Sequence, residues 1–168
     1  MQNFSLTPHF ELQEFTESAT ARSHGIDNVP PFEAVENLKF LCVFTLEPLR
    51  EALGLPIIIT SGYRSKALND RITHHSSTSQ HMYGEAADFY VGWNGPKENA
   101  PSRRELLIKA FRQIITDDNI AFDQCIIYPS FIHVSYVRSG RKNRSKLTKA
   151  FANGSYAALT RAQALTLE

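Results

Sequence analysis

From Phe32 to Leu53 the apolar residues Val35, Leu38, Leu41, Leu46, Leu49 and Leu53 recur at three- and four-residue steps, with one five-residue gap. A helix gathers side chains at that spacing onto one face, so a long amphipathic helix is predicted here, with an apolar stripe that must be covered. Pro48 lies inside it, has no amide hydrogen and crowds the preceding turn, which predicts a kink or break near Thr45. Gly54 supplies a stop. Directly after it comes Pro56-Ile57-Ile58-Ile59-Thr60, a short β-branched run read as a buried strand. The helix therefore has a sheet to lie on.

Further along, Ala86 to Gly92 reads as a second strand. Phe122–Tyr128 and Phe131–Val137, separated by Pro129-Ser130, read as a hairpin. Between them Ser102 fits a helix N-cap with Glu105 at the N3 position, and Leu106, Leu107, Ala110, Phe111, Ile114 and Ile115 give that helix one apolar face. Ahead of the long helix, residues 5–12 read as an extended lead-in, followed by one short helix to about Ser23. After the first strand a short helix spans Lys66 to Arg71. In the tail, Ala150 to Leu159 reads as either strand or irregular chain, and Thr160 to Leu167 as a terminal helix. The class is α+β, a small mostly antiparallel sheet flanked by helices. One domain over 1–168 is expected, with its core in about 4–137 and a C-terminal extension over 138–168.

Composition narrows the functions available. A hydrophobic share of 42% and a charged share of 21% permit a core without disulfide staples. Cys42 and Cys125 each stand in an apolar run, so both are read as buried free thiols. A net charge of +1 argues against nucleic acid as a partner. The basic stretch from Arg138 through Arg141 to Arg144 is short and reads as a solvated loop. No run approaches the roughly 18 apolar residues of a membrane span, so no membrane insertion is expected. Met1 to Glu11 lacks a basic stretch followed by an apolar one, so the expectation is a soluble cytoplasmic product without a signal peptide. No feature of the sequence specifies an oligomeric state.

His81, Asp88 and His133 are the residues whose chemistry stands out. The seven-residue interval between the first two does not place both on one face of a strand. It works if His81 ends a loop, Gly84 allows a turn and Asp88 begins the strand, with the small pair Ala86-Ala87 letting backbone approach closely. His133 arrives on the hairpin, between Ile132 and Val134, whose side chains point the other way. Two imidazoles and one carboxylate with a fourth place open are the ligand set of a catalytic zinc site. Non-haem iron uses the same ligand types, but its first His and carboxylate usually stand two apart on a barrel strand, a poor fit here.

Ser79-Gln80-His81-Met82-Tyr83-Gly84-Glu85-Ala86-Ala87-Asp88 resembles the ligand motif of the zinc D-Ala-D-Ala carboxypeptidase and L-alanyl-D-glutamate endopeptidase family, peptidase M15. Ser61-Gly62-Tyr63-Arg64-Ser65 with Leu68-Asn69 resembles a second landmark. Tyr128-Pro129 with Phe131-Ile132-His133-Val134 resembles a third, in the same order. Gly25-Ile26-Asp27-Asn28 and Leu46-Glu47-Pro48-Leu49-Arg50 are similar to the lead-in of compact bacterial and phage-borne members.

The resemblance implies a Hedgehog/DD-peptidase-like fold and one Zn2+ per chain, held by His81, Asp88 and His133 with water in the fourth position. It also implies a peptidoglycan peptide as substrate, with action at the cell wall or periplasm after release. Arg64 would steady the substrate carbonyl or oxyanion; its alternative is a surface ion pair with Asp70. Ser79 and Gln80 would shape the loop and bond substrate, and Tyr83 would line the cleft or simply pack. Ser130, counted with the substrate contacts, stands where many members carry an acidic general base. A serine cannot take that role, so the base is expected at Asp123 or, alternatively, Glu85. His74 and His75 are expected to be solvent-exposed. The competing function is a non-catalytic zinc-binding module on the same scaffold, recognising wall peptides or a protein partner.

Overall fold

The computed structural model describes residues 3–73, 76–138 and 140–168. Two short strands, β1 (Ser5–Thr7) and β2 (Phe10–Glu11), pair antiparallel and lead into α1 (Leu12–Thr16) and α2 (Ala19–His24). The single short helix expected here is two. Ser18 is the cause: its hydroxyl accepts from the Ala21 amide and caps a new helix rather than continuing the old one.

The long helix is α3 (Phe32–Leu41), a π-helical turn (Cys42–Leu46) and α4 (Glu47–Leu53). The break predicted near Thr45 thus takes a specific form. Pro48 falls in the first turn of α4, and the Phe44 carbonyl that its missing amide leaves open accepts instead from the Ala121 N–H at 2.9 Å. The wide turn before it absorbs the additional residue in the five-residue gap. Leu41 and Leu46 are consequently both fully buried. Thr45 Oγ1 donates to the Ala121 carbonyl at 2.5 Å and ties the turn to a distant loop.

The remaining elements are β3 (Ile57–Ser61), α5 (Lys66–Asn69), β4 (Ala86–Val91), α6 (Arg103–Thr116), β5 (Gln124–Ile127), β6 (Ile132–Ser135), β7 (Lys146–Ala150), β8 (Tyr156–Leu159) and α7 (Arg161–Leu165). Strands β3 to β8 form one sheet in the order β3-β4-β6-β5-β7-β8. Every pairing is antiparallel except β5 with β7. The chain is an α+β fold, as expected. Ser102 and Glu105 cap α6 reciprocally.

Alternation along the strands sets the two faces. Ala87, Phe89 and Val91 of β4, with Ile132 and Val134 of β6, enter the core with Leu107, Phe111 and Leu38 from the helices. Asp88 and His133 are therefore turned to the other face. The 138–168 segment joins the same sheet through β7 and β8. Its end is pinned to α6 by Arg104 and Arg112, whose guanidinium groups donate to the Glu168 and Leu167 carbonyls at 2.9 and 2.6 Å.

The basic stretch is an exposed loop, as expected, but three of its guanidinium groups are engaged. Arg141 ion-pairs with Glu85, Arg144 with Asp123, and Arg138 lies over the Phe40 ring. Two carboxylates buried beside the sheet need counter-charges, and this segment delivers them. Cys42 and Cys125 are buried free thiols, as expected.

Candidate metal centre

Two close backbone approaches build the site. The chain leaves β3 through Gly62, where a Cβ would stand 2.6 Å from the Phe15 backbone, so a side chain has no room. Tyr63 N–H donates to the Phe15 carbonyl at 2.7 Å, and the Gly62 carbonyl is left to accept from His81 Nδ1 at 2.7 Å. The second approach is Gly84, which ends the 3-10 turn Gln80–Tyr83 with φ at 68°. A Cβ there would stand 2.2 Å from the Ala34 carbonyl oxygen of α3. Asn37 of α3 also donates to the Tyr83 carbonyl at 2.8 Å. The turn that carries His81 is thus pressed between α3 and the end of β3.

Asp88 does not begin its strand but is the third residue of β4, because Ala86 already pairs with Ser135. Asp88 stands directly opposite His133 of β6. The donor atoms form a nearly equilateral triangle: His81 Nε2 to His133 Nδ1 is 3.2 Å, His133 Nδ1 to Asp88 Oδ1 is 2.8 Å, and His81 Nε2 to Asp88 Oδ1 is 3.3 Å. Tetrahedral zinc with arms of about 2.0–2.1 Å needs ligand atoms about 3.3 Å apart. The three residues fit one face of such a site and form a group able to hold a metal ion. The tautomer agrees. With Nδ1–H of His81 donated to Gly62, its Nε2 lone pair points at the centre.

Electrostatics favour the ligand forms. Burial pushes the His81 imidazole below its ordinary pKa, against the opposing pull of the Asp88 carboxylate. Burial alone would raise the Asp88 carboxyl, but the charges and hydrogen bonds of His81 and His133 outweigh it and hold Asp88 far below the usual carboxylate range. Arg64 Nη2 donates to the other Asp88 oxygen at 2.7 Å while its Nε donates to Ser61 Oγ at 2.9 Å. Arg64 therefore does not pair with Asp70, which takes Lys66 Nζ at 2.6 Å.

Neither carboxylate proposed as a base joins the donor group. Asp123 is buried, and Arg144 occupies both its oxygens: the Arg144 backbone N–H and Nε each donate to Oδ1 at 2.9 Å, and Nη2 donates to Oδ2. Gln80 Nε2 adds a bond to Oδ2 at 3.1 Å, so Asp123 steadies the residue preceding His81. Burial would raise the Asp123 carboxyl, but the Arg144 bonds prevail and hold it below its ordinary range, which makes it a poor proton acceptor. Glu85 is buried with one oxygen on Arg141.

A stability prediction arises from the Asp123 ion pair. A carboxyl whose folded pKa is depressed stabilises the fold above its unfolded pKa of about 3.9, and that contribution drains away as pH falls through the folded value. Asp123→Asn is expected to cost about 1–2 kcal/mol at pH 7, a modest figure because Arg144 is more than half exposed. Urea unfolding at pH 7 and near pH 3 should show the gap between wild type and variant narrowing at the lower pH.

Ser79 opens the 3-10 turn and its carbonyl accepts from the Met82 amide at 3.1 Å. The Tyr83 ring is exposed, and Ser130 is exposed in the β5–β6 turn. His74 and His75 lie outside the described residues. Sequence reasoning missed the Gly62 carbonyl, Ser61 as an anchor for Arg64, and Arg141 and Arg144 as counter-ions. It also missed the stack of the Tyr128 ring on Phe131, with centroids 4.2 Å apart. The signal for it was the two-residue step from His133 back to Phe131 on the same strand face.

The peptidase M15 family model matches residues 8–135. A comparison with curated proteins gives no match. The matched span includes all three donor residues and Arg64, and ends where β6 ends. The chain belongs to the peptidase M15 family.

Proposed function

We propose that this chain is a zinc metallopeptidase that hydrolyses a peptide bond in peptidoglycan stem peptides, as a D,D-carboxypeptidase or an endopeptidase. The observation that carries the reading is the His81–Asp88–His133 donor triangle with Arg64 bonded to the far oxygen of Asp88. Zinc bound there supplies a Lewis acid for the scissile carbonyl and lowers the pKa of a water molecule. The chain's own residues do the rest. Gly62 fixes the His81 tautomer, and Arg64 holds Asp88 in its ligating orientation. The rest of the Arg64 guanidinium is a fixed cation for the negative charge that develops on the substrate carbonyl. Asp123, through Gln80, steadies the turn that carries His81. Action at the cell wall after release is part of this reading.

One observation favours the second reading, a zinc-binding module without turnover. Among the described residues no carboxylate beyond Asp88 joins the donor group, and Asp123 and Glu85 are both ion-paired. Digestion of defined muropeptides by the zinc-loaded protein, followed by mass spectrometry, separates the two. The expected product lacks a terminal D-alanine or is cut within the stem. Full zinc occupancy with no product from any wall type would overturn the peptidase and support the module.

A further inference from the structure

The face of the sheet that bears the metal ligands carries a second row of side chains, set by strand register. His133 stands opposite Ile126 of β5, and Ile126 opposite Thr148 of β7. Two residues further along each strand, on the same face, stand Phe131, Tyr128 and Ala150. Ala150 in turn pairs with Tyr156 of β8. The Tyr128 ring is stacked on Phe131, and the Tyr156 ring meets it edge-on with centroids 6.1 Å apart. The Tyr128 and Tyr156 hydroxyls are hydrogen-bonded at 3.2 Å. Tyr156 is 57% exposed, so this rim is open to a ligand. Tyr128 also lies within electrostatic reach of Asp88 and Arg64; burial is the main cause of its raised pKa, followed by Tyr156 and then Asp88.

Two of these rings sit within the matched residues 8–135, but Tyr156 comes from the strand pair beyond them. We propose that Tyr128 is a specificity-determining residue that contacts the substrate peptide at the rim of the metal site, and that Tyr156 is its positioning residue, supplied by the C-terminal strands. This deepens the peptidase reading and rests on it. An aromatic wall with a hydroxyl at its edge suits an extended peptide, giving apolar contact along the ring and one hydrogen bond to a backbone group. Tyr156 fixes the direction in which that hydroxyl points, and Phe131 fixes the plane of the ring. The C-terminal strands thereby act on substrate selection without touching the metal ligands.

The test uses the zinc-loaded full chain and a defined pentapeptide muropeptide. Tyr156→Phe removes only the hydroxyl and keeps the ring, so melting temperature and zinc content should stay at wild-type values. KM is expected to rise about three- to ten-fold, the effect of one lost hydrogen bond, with kcat within about two-fold. Tyr128→Phe should do the same or more. The double variant should be no worse than Tyr128→Phe alone, because Tyr156 acts only through Tyr128. Unchanged KM in Tyr156→Phe, or effects of the two substitutions that multiply independently, would overturn the proposal while leaving the peptidase intact. A wild-type protein that neither binds nor cleaves the muropeptide would overturn the peptidase reading, and the proposal with it; that failure shows before any variant is made.

Discussion

Replacing His81 by alanine is expected to abolish metal binding, taking the protein from about one zinc per chain to none after gel filtration, as read by elemental analysis. The magnitude follows from the geometry. His81 supplies one corner of a three-atom face and is the most buried of the three donor residues, with its Nδ1 fixed on the Gly62 carbonyl. Losing a residue that merely orients a ligand typically costs about 10–100-fold in affinity, and losing the ligand itself costs more. Asp88 and His133 would remain as a cross-strand pair, too few donors for zinc at ordinary concentrations. Because bound metal stabilises only the folded state, zinc should raise the wild-type melting temperature and leave that of His81→Ala unmoved. Wild-type protein without metal after zinc loading, or with iron and oxoacid-dependent turnover, would remove the basis of the assignment.

The second large effect is expected at Gly84. An alanine there must adopt a left-handed backbone and also push its Cβ to 2.2 Å from the Ala34 carbonyl oxygen. The first penalty is about 1–2 kcal/mol and overpacking adds about 1–3 kcal/mol, so Gly84→Ala should lose about 2–5 kcal/mol of stability. Gly54 provides the control. Its φ is nearly the same, at 62°, but nothing lies within 4 Å of its Cβ position. Gly54→Ala should therefore show the backbone penalty alone, and the difference between the two variants in urea unfolding isolates the clash. Gly84 lies between two ligands, so any shift of the turn away from α3 also moves His81 relative to Asp88. Zinc affinity should fall in Gly84→Ala and hold in Gly54→Ala. Equal destabilisation by the two substitutions would show that the contact with α3 carries no strain.

The elements that could be read from the sequence are those whose cause is local. The 3.6-residue period of 32–53, the Ser102–Glu105 cap and the β-branched run at 57–59 all describe a residue and its near neighbours, and each is found where expected. Even the break before Pro48 was legible. Its form as a π turn was implicit in the five-residue step from Leu41 to Leu46. The meeting of His81, Asp88 and His133 was legible too, because motif order preserves them although 45 residues separate Asp88 from His133.

What escaped depends on partners distant in sequence. Nothing in Arg138 to Arg144 announces that two of its guanidinium groups answer buried acids at 85 and 123. In isolation the stretch looks hydrophilic and nothing more. Asp123 looked like a base because it lies one hairpin strand from His133, yet Arg144 already neutralises it. The tail was ambiguous for the same kind of reason. Lys146–Ala150 has little strand character of its own and is ordered by the exposed flank of β5.

That parallel pairing has a consequence for the chain's handling. Without β7, the strand Gln124–Ile127 would be the sheet's outermost member, presenting unpaired amides and carbonyls along a nearly uncharged Gln-Cys-Ile-Ile ribbon. Such a border recruits other copies edge to edge. Strands β7 and β8 thus work as a selvage, and a product clipped between β6 and β7 would keep His81, Asp88 and His133 yet be prone to stick to its own kind.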